Sequence, residues 1–391
     1  MESRIKKILL VGNYLSDRQQ SMLRFGEMLY DALSERGWTV ERLQPEPRFL
    51  NLSRAKSSQR GLVKWLGYLD KYVVFPRRLY THVAKVQPAV VHILDHSNSM
   101  YVPRQSATPW VVTCHDLLAV RGALGENTYC PATWSGRRLQ ASICRGLGRA
   151  WGVASVSGST QADLNRIVKP TRLQQRLIVY NAQNYPYKRI SVDEAHRRLK
   201  DVISVPWKTP YIIHVGQSHP RKNRGGILNI LSKLKTSWGG NIVFCGMPLT
   251  EKLKKQIVNL QLTDRVFEVQ GLTGKQLEAA YNLAHVMLFP SICEGFGWPI
   301  IEAQACGCPV ICSDTTSLPE IAGEGGLVHG LYDENAMAKS VINLEDPRFR
   351  EKVIASGLKN IERFTMDSML DGYEDLYERV LNAKNEFKVT Y

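Results

Sequence analysis

The 391-residue chain lacks any apolar run near the roughly 18–20 residues that a helix needs to cross a bilayer. Its first apolar run, residues 8–11, ends at a Gly-Asn pair and is too short for the core of a signal peptide. The eight cysteines are scattered and form no paired clusters, so neither a disulfide framework nor a zinc site is expected. These absences predict a cytoplasmic protein with several globular domains and no metal ion.

Acidic residues are scarce in the first half of the chain. Residues 1–190 hold 28 Lys and Arg against 12 Asp and Glu, whereas residues 191–391 hold 23 against 24. The basic excess therefore lies in the first half, which indicates that the two halves meet different partners. No recognisable nucleic-acid motif accompanies this excess, so a nucleic-acid partner is not expected. A non-enzymatic polyanion-binding protein stays open as an alternative.

Short runs rich in Val, Ile and Leu alternate with helix-period segments along the whole chain. The runs are apolar throughout, which is typical of strands buried on both faces of a parallel sheet, and their alternation with helices indicates doubly wound α/β domains. Two series of six strands are predicted, on either side of a charged connection over residues 184–210. The predicted domains are 1–190 and 210–365, joined by a linker over 191–209. A final helix over 366–391 follows, and its packing on the first domain is left open.

The clearest motif is Ser-Ile-Cys-Glu-Gly-Phe-Gly-Trp-Pro-Ile-Ile-Glu over residues 291–302, between a predicted strand and a helix. Gly295 and Gly297 let backbone amides approach a ligand, and a helix N-terminus presents N–H groups to it. Glu294 would lie in the loop and Glu302 about one turn into the helix, where both carboxylates can accept from the hydroxyls of one extended ligand. The motif predicts a ligand site. A capped helix with Glu302 on its surface is the alternative.

Two glutamates separated by seven residues, with Gly-Phe-Gly between them, resemble the signature of the family-4 retaining glycosyltransferases of the GT-B fold. The similarity includes residues 213–216 and 221–223; it is close over 205–330 and looser over 1–190. It implies an α/β GT-B architecture in which two Rossmann-like doubly wound domains face each other across a cleft. It also implies transfer of a hexose-type sugar, with retention, from a UDP- or GDP-linked donor. The implied acceptor is a glycan or lipid-linked saccharide of polysaccharide or glycolipid biosynthesis.

The resemblance places the donor on the second domain. Glu294 would bind hydroxyls of the donor sugar and Glu302 those of the ribose. Arg221 and Lys222 would bind the diphosphate, which gains negative charge as it leaves; a solvated loop is the alternative for this pair. Gln217 stands where the family commonly has an arginine. The chain has no Asp-x-Asp, which agrees with metal-independent stabilisation of the leaving group, and no cofactor is expected. The remaining donor-side residues implied by the resemblance are Gly216, Gln217, Gly271, Leu272, Ser291, Gly295, Phe296, Gly297 and Trp298.

In the first domain the resemblance concerns the ends of two predicted strands. One strand delivers His115 and Asp116 to its carboxyl end, where the histidine of the family reaches the transferring sugar; a histidine that caps neighbouring residues is the alternative. Gly12 and Asn13 end the first strand, in the loop that borders the acceptor and the donor diphosphate in the family. Domain closure would bring His115 onto the donor and exclude water. This loop lacks a full Gly-x-Gly-x-x-Gly, which counts against a dehydrogenase.

Residues 61–83 interleave aromatic and aliphatic side chains with lysines and arginines. Such a stretch fits the surface of an anionic membrane, and it also fits a helix whose aromatic side chains pack in the core. Both interpretations stay open. With a membrane contact the protein would be peripheral at the inner face of the membrane. A nucleotide-sugar epimerase or hydrolase of the same fold stays open as the enzymatic alternative.

Overall fold

The computed structural model describes residues 7–17, 19–49 and 62–389, with side chains described over 65–386 in the last range. The chain divides into two compact units, one formed by residues 1–180 with 366–391 and the other by residues 181–365. The first boundary therefore lies after Tyr180, ten residues earlier than the predicted one. The predicted linker over 191–209 lies within the second unit.

The first unit is built on a parallel sheet of six strands. The strands are β1 (Lys7–Val11), β2 (Thr39–Leu43), β3 (Val90–Ile93), β4 (Trp110–Cys114), β5 (Gly152–Ser155) and β6 (Gln175–Ile178). They pair in the order β2-β1-β3-β4-β5-β6. Every residue of β3 and β4 is buried, as expected for central strands of a sheet that is covered on both faces.

Among the described residues, six helices with given bounds precede the second unit. They are α1 (Gln20–Glu35), α2 (Leu62–Leu69), α3 (Phe75–Val86), α4 (Leu118–Ala123), α5 (Trp134–Arg149) and α6 (Gly158–Ile167). A π-helical turn over Asp70–Val74 joins α2 to α3, so one continuous helix runs from residue 62 to residue 86. Phe75 and Leu79 are buried in the core, whereas Trp65 exposes 68% of its surface. The apolar side chains of the basic aromatic stretch thus divide between core and surface; residue 61 lies outside the described residues.

The second unit is also built on a parallel six-stranded sheet. Its strands are β7 (Tyr211–Gly216), β8 (Asn241–Gly246), β9 (Val266–Val269), β10 (Val286–Phe289), β11 (Val310–Ser313) and β12 (Gly326–His329). The order is β12-β11-β10-β7-β8-β9. The chain winds from β7 towards β9 and then from β10 towards β12, so the winding direction switches between β7 and β10. The loops that follow these two strands diverge there, and ligands of doubly wound sheets bind at such a point.

Eight helices belong to the second unit. They are α7 (Val192–Leu199), α8 (Arg224–Lys233), α9 (Glu251–Asn259), α10 (Gly274–Leu283), α11 (Trp298–Ala305), α12 (Leu318–Ala322), α13 (Glu334–Asn343) and α14 (Pro347–Ile361). The buried Glu278 of α10 pairs with Arg198 of α7 and accepts from the Lys188 N–H at 3.0 Å. These bonds attach the predicted linker to α10, which explains why it belongs to the second unit.

The last helix, α15 (Met366–Val389), packs on the sheet of the first unit. The Tyr373 hydroxyl bonds to Thr113 Oγ1 of β4 at 2.9 Å, and the Tyr377 hydroxyl bonds to Nδ1 of His92 on β3 at 2.7 Å. Burial lowers the pKa of His92 to about 3, so the ring is neutral. The end of the chain thereby completes the core of the first unit. Among the described helices, none is both long enough and apolar enough to span a bilayer.

Candidate functional site

The loops after β7 and β10 meet at the switch point of the second sheet and form an ion cluster. Arg221 and Lys222 lie in a short 3₁₀ turn after β7, and Glu294 lies in the loop after β10. Arg221 Nη1 donates to Glu294 Oε2 at 2.7 Å, and Lys222 Nζ donates to Glu294 Oε1. The Ile292 N–H donates to the Arg221 carbonyl oxygen at 2.7 Å, which joins the two loops through their backbones as well.

The ion cluster of Arg221, Lys222 and Glu294 is largely removed from water. Lys222 exposes 7% of its surface and Glu294 exposes 9%. Burial would raise the pKa of Glu294, but Lys222 and Arg221 outweigh it and hold this pKa below its ordinary value. Burial also lowers the pKa of Lys222, and the attraction of Glu294 opposes that shift. Two cations and one carboxylate give the cluster a net charge of +1, which suits an anionic ligand.

A neutral aromatic platform lies beneath Lys222. Its Nζ is 4.6 Å from the centroid of the Phe289 ring, and the His214 ring stacks on Phe289 with centroids 5.9 Å apart. His214 Nδ1 donates to the Leu288 carbonyl oxygen at 3.0 Å, since a carbonyl can only accept. Burial lowers the pKa of His214 to about 3, so its ring is neutral and does not add a positive charge beside Lys222.

Arg224 links the ends of β7 and β8 and was not predicted as a site residue. Its Nη2 donates to the Gly216 carbonyl oxygen and its Nη1 to the Met247 carbonyl oxygen, each at 2.7 Å. A Cβ at Gly246 would lie 2.4 Å from the Gly216 oxygen, so these strand ends approach too closely for a side chain. The signal was present in the sequence, because Arg224 is the third cation within four residues and only the first two were assigned roles.

Hydroxyl groups at the end of β11 and just after it hold the loop over residues 291–297 in place. Ser313 Oγ and Thr315 Oγ1 donate to the Ser291 carbonyl oxygen at 2.6 and 2.7 Å. The Glu294 N–H donates to Thr316 Oγ1 at 3.0 Å. Ser291 is fully buried, so its carbonyl serves to anchor the loop that carries Glu294.

Gly297 ends this loop and begins α11 as its N-cap. Its φ of 114° lies in the region that favours glycine. Gly295 and Phe296 are buried beside it. The Nε1–H of Trp298, the first residue of α11, donates to the Ala182 carbonyl oxygen at 2.9 Å. The helix start is therefore attached to the segment at residue 182.

Glu302 lies in the second turn of α11 and is buried, so the alternative that placed it on a solvated helix surface is wrong. Its Oε1 accepts from Asn184 Nδ2 at 3.0 Å, and its Oε2 accepts from the Tyr281 hydroxyl at 2.9 Å. Burial raises the pKa of Tyr281 well above its ordinary value, so the phenol keeps its proton and acts as a donor. Asn184 was assigned to the interdomain connection, because no pattern in the sequence connects it with a residue 118 positions later.

The other donor-side residues lie on the same carboxyl edge of the second sheet. Gly216 ends β7, and Gln217 follows it with an exposed side chain. Gly271 and Leu272 follow β9, two strands from β7, which corresponds to about 10 Å along the sheet. The structure thus brings together the ion cluster after β7 and β10, and it holds Glu302 in a second cluster between α10 and α11.

In the first unit the predicted residues gather at the carboxyl ends of β1, β3 and β4. Asn13 Nδ2 donates to Asp95 Oδ2 at 2.6 Å, and Asn98 Nδ2 donates to Asn13 Oδ1 at 3.0 Å. His115 Nε2 donates to the Leu94 carbonyl oxygen at 2.9 Å, so Nε2 carries the proton and Nδ1 is the acceptor atom of the neutral ring. Asp95 and Asn98 were not among the predicted site residues.

At this edge the attraction between Asp95 and the histidines opposes the effect of burial on their pKa values. Burial lowers the pKa of His115, and the nearby Asp95 partly offsets this shift. Burial would raise the pKa of Asp95, but adjacent histidines and hydrogen-bond donors bring it below its ordinary value. Asp116 Oδ1 accepts from the Leu118 N–H at 3.0 Å, at the start of α4, while Gly12 directly follows β1 and lies close to Gln44. In the described part of the chain, no group of three or more His, Cys, Asp or Glu side chains is arranged to hold a metal ion.

Residues 196–359 match the family described as Glycosyl transferases group 1. Over 163 residues the chain is 32% identical to the O-antigen chain mannosyltransferase B of Escherichia coli. That alignment covers 40% of this chain and 43% of the relative. The chain spans less than half the length of the mannosyltransferases that it matches.

Several solved structures are similar over nearly the whole chain. Sucrose-phosphate synthase from Thermosynechococcus elongatus aligns over 97% of this chain and 100% of its own, with a TM-score of 0.76 and 20% identity. HepE from Anabaena, solved in complex with UDP, aligns over 95% of this chain and 100% of its own, with a TM-score of 0.67 and 14% identity. At these identities the likeness shows the fold alone. Residues 196–359 thus resemble the group 1 glycosyl transferases, and the chain has the GT-B fold.

Proposed function

We propose that this protein is a retaining hexosyltransferase that uses a UDP- or GDP-linked sugar and acts on a glycan or lipid-linked saccharide. The observation that carries the proposal is the buried ion cluster of Arg221, Lys222 and Glu294 at the switch point of the second sheet. The family match over residues 196–359 supports it. Because the similar protein from Escherichia coli is an O-antigen chain mannosyltransferase, mannose is the first sugar and a polysaccharide precursor the first acceptor to test.

In this proposal Arg221 and Lys222 bind the diphosphate of the donor. The acceptor oxygen bonds to the anomeric carbon as the bond between that carbon and the diphosphate breaks. The electron pair of the broken bond leaves with the diphosphate, and the proton of the acceptor hydroxyl passes to an oxygen of the departing diphosphate. Fixed cations stabilise this growing negative charge without having to reorganise. Glu294 holds both cations in place through its two oxygens, and its carboxylate also suits the hydroxyls of a sugar.

We assign acceptor binding to the first unit. Asn13, Asp95 and Asn98 form a connected polar network at the ends of β1 and β3, next to the switch point of that sheet. Amide and carboxylate groups in such a network suit the hydroxyls of a saccharide. The neutral His115 adds Nδ1 as a hydrogen-bond acceptor for a sugar hydroxyl.

We further propose that the outer face of α2 and the π-helical turn contacts the membrane that presents a lipid-linked acceptor. Trp65, Leu69 and Val73 follow one another at intervals of four residues, and all three are exposed. Arg77 continues the series and is exposed as well. Exposed apolar side chains next to basic ones suit the surface of an anionic bilayer.

Co-sedimentation with vesicles, with and without anionic lipid, tests the membrane contact. We expect the wild type to sediment with anionic vesicles and Trp65→Ser to lose most of this binding. Val258→Ser is the matched control, because Val258 is an exposed apolar residue on α9 of the second unit. Equal binding of Trp65→Ser and the wild type would contradict the proposal.

The transferase activity is tested with GDP-mannose and UDP-glucose, each incubated with the full chain and a synthetic α-mannoside acceptor. We expect one donor to yield a product whose anomeric proton shows retained α configuration by NMR. Consumption of the donor without a new glycoside would indicate the hydrolase alternative, and an isomerised donor the epimerase. Thermal unfolding with each donor, with NAD as the control, measures binding separately from transfer. Stabilisation by NAD alone would contradict the proposal.

A further inference from the structure

We infer that Asn184 and Tyr281 orient the carboxylate of Glu302 for the ribose hydroxyls of the donor nucleotide. The inference rests on the proposed function, in which Glu302 binds the ribose. It adds two positioning residues that lie outside the Glu-x7-Glu motif, one in the segment before α7 and one on α10.

The two residues hold Glu302 from different sides. Asn184 donates to Oε1 and Tyr281 donates to Oε2, so each carboxylate oxygen has its own donor. A carboxylate offers about four directions for accepting hydrogen bonds, and these directions all lie near its plane. Two fixed donors therefore set the plane of the Glu302 carboxylate, and with it the directions from which two further hydroxyls can donate to its oxygens. Ribose has two such hydroxyls on adjacent carbons.

Both donors are themselves held in place. The fully buried Tyr281 ring packs edge-on against Tyr187, with centroids 5.9 Å apart. The backbones of the two residues before Asn184 are both hydrogen-bonded. The Ala182 carbonyl accepts from Trp298 Nε1 at 2.9 Å, and the Gln183 N–H donates to a backbone carbonyl at 3.3 Å. Trp298 lies one turn before Glu302 on α11, so this helix is attached to the segment at two points.

Packing alone does not account for an asparagine at this position. The amide nitrogen of Asn184 must face Glu302, because a carboxylate only accepts, and this places Oδ1 on the opposite side. Oδ1 is buried and has no hydrogen-bond partner among the described residues. A buried acceptor without a donor is unfavourable, whereas a small apolar side chain would leave no such group. The hydrogen bond that the Asn184 NH₂ group donates to Glu302 explains why an asparagine occupies this position.

The test compares nucleotides with and without the ribose 2′-hydroxyl. Titration calorimetry gives the affinities of the full chain for GDP and 2′-deoxy-GDP, and for UDP and 2′-deoxy-UDP. For the base that binds, we expect the wild type to prefer the ribonucleotide by about 10–100-fold, as for a hydrogen bond to a charged acceptor. Tyr281→Phe and Asn184→Ala should each lower this preference by about tenfold, mainly by weakening binding of the ribonucleotide. A purely structural role would lower both affinities equally and leave the ratio unchanged.

Asn229→Ala is the matched control, because Asn229 Nδ2 donates to Glu334 Oε1 at 2.7 Å in the same unit. It should keep the wild-type ratio. Tyr281→Phe removes a single oxygen and carries the test if Asn184→Ala does not fold. The inference is overturned if both variants keep the wild-type ratio while Glu302→Gln abolishes the preference, or if the wild type binds both forms equally. Failure of the wild type to bind any of the four nucleotides would instead refute the proposed function.

Discussion

Replacing Lys222 by methionine separates charge from packing at the ion cluster, because the two side chains have similar length and the lysine stem is buried. The variant leaves Glu294 paired with Arg221 alone. Removing one partner of a buried ion pair costs about 3–5 kcal/mol of unfolding free energy, since the remaining charge stays out of water. Because Arg221 stays at 2.7 Å, we expect the lower end of this range.

The same variant removes a cation from the proposed diphosphate site. Loss of one positioned charge-stabilising group lowers kcat by about 10²–10³-fold. For a unit of the size of residues 181–365, about 3 kcal/mol lowers the midpoint of thermal unfolding by about 6–12 °C. Stability and activity should therefore both fall.

The double variant Lys222→Met, Glu294→Gln distinguishes these two effects. With the charges of Lys222 and Glu294 both removed, no uncompensated carboxylate is left beside the methionine. The midpoint temperature of thermal unfolding should therefore recover most of the decrease seen in the single variant. Transfer should stay at least about 100-fold below the wild type, because the cation is still missing and Glu294, whose carboxylate suits the sugar hydroxyls, is changed as well. Differential scanning calorimetry and initial rates with GDP-mannose or UDP-glucose provide the two measurements.

Lys254→Met is the matched control, because Lys254 and Glu251 form an exposed pair at 3.0 Å on α9. It should change neither the midpoint nor the rate measurably. Transfer by Lys222→Met within threefold of the wild-type rate would refute the assigned role of the cation. A double variant that unfolds as early as the single one would refute the reasoning about the buried charge.

Three further predictions concern stability. Burial lowers the pKa of His92 and of His214 to about 3 in the folded state, against about 6.5 in the unfolded chain. Between these two pH values the two histidines bind protons only in the unfolded chain. The free energy of unfolding therefore falls as the pH falls. From pH 7 to pH 5 each histidine should cost its unit about 2 kcal/mol, and calorimetry should show a shallower pH slope for the second unit in His214→Phe. Gly297→Ala should lower the unfolding free energy, measured with denaturant, by about 1–3 kcal/mol, because Gly297 has a φ of 114°. Gly239→Ala should leave the unfolding free energy unchanged, because a Cβ at Gly239 would meet open space. Tyr377→Phe should lower the unfolding free energy of the first unit by about 1–3 kcal/mol without changing nucleotide affinity; an unchanged unfolding free energy would contradict the bond to His92.

The fold could be predicted because its signal is local. Each buried strand of a parallel sheet is a short apolar run, and both predicted series of six strands are present with the GT-B architecture. The pairing of Arg198 with Glu278 decides that the predicted linker belongs to the second unit, and these residues are 80 positions apart. No periodicity within a window of the sequence reports a contact over such a distance.

The candidate site shows the same difference between local and distant information. The Glu-x7-Glu spacing predicts where Glu294 and Glu302 lie relative to α11, because a strand end and a helix start are local features. It does not predict that Glu302 is buried, because its partners Asn184 and Tyr281 come from two other elements. For the same reason Asn98 was not predicted as a site residue, although it bonds to Asn13 from 85 positions away.

The position of α15 has a consequence for how the chain folds during synthesis. The second unit is continuous in sequence, so it needs no residue after 365 to complete its own fold. The first unit cannot complete its core at that point, because Tyr373 and Tyr377 are made only after the second unit. At about 5–20 residues per second, its sheet waits on the order of ten seconds or more for them. A nascent chain that stops before residue 366 should therefore expose the surface that α15 covers, and chaperones should retain it although its second unit is folded.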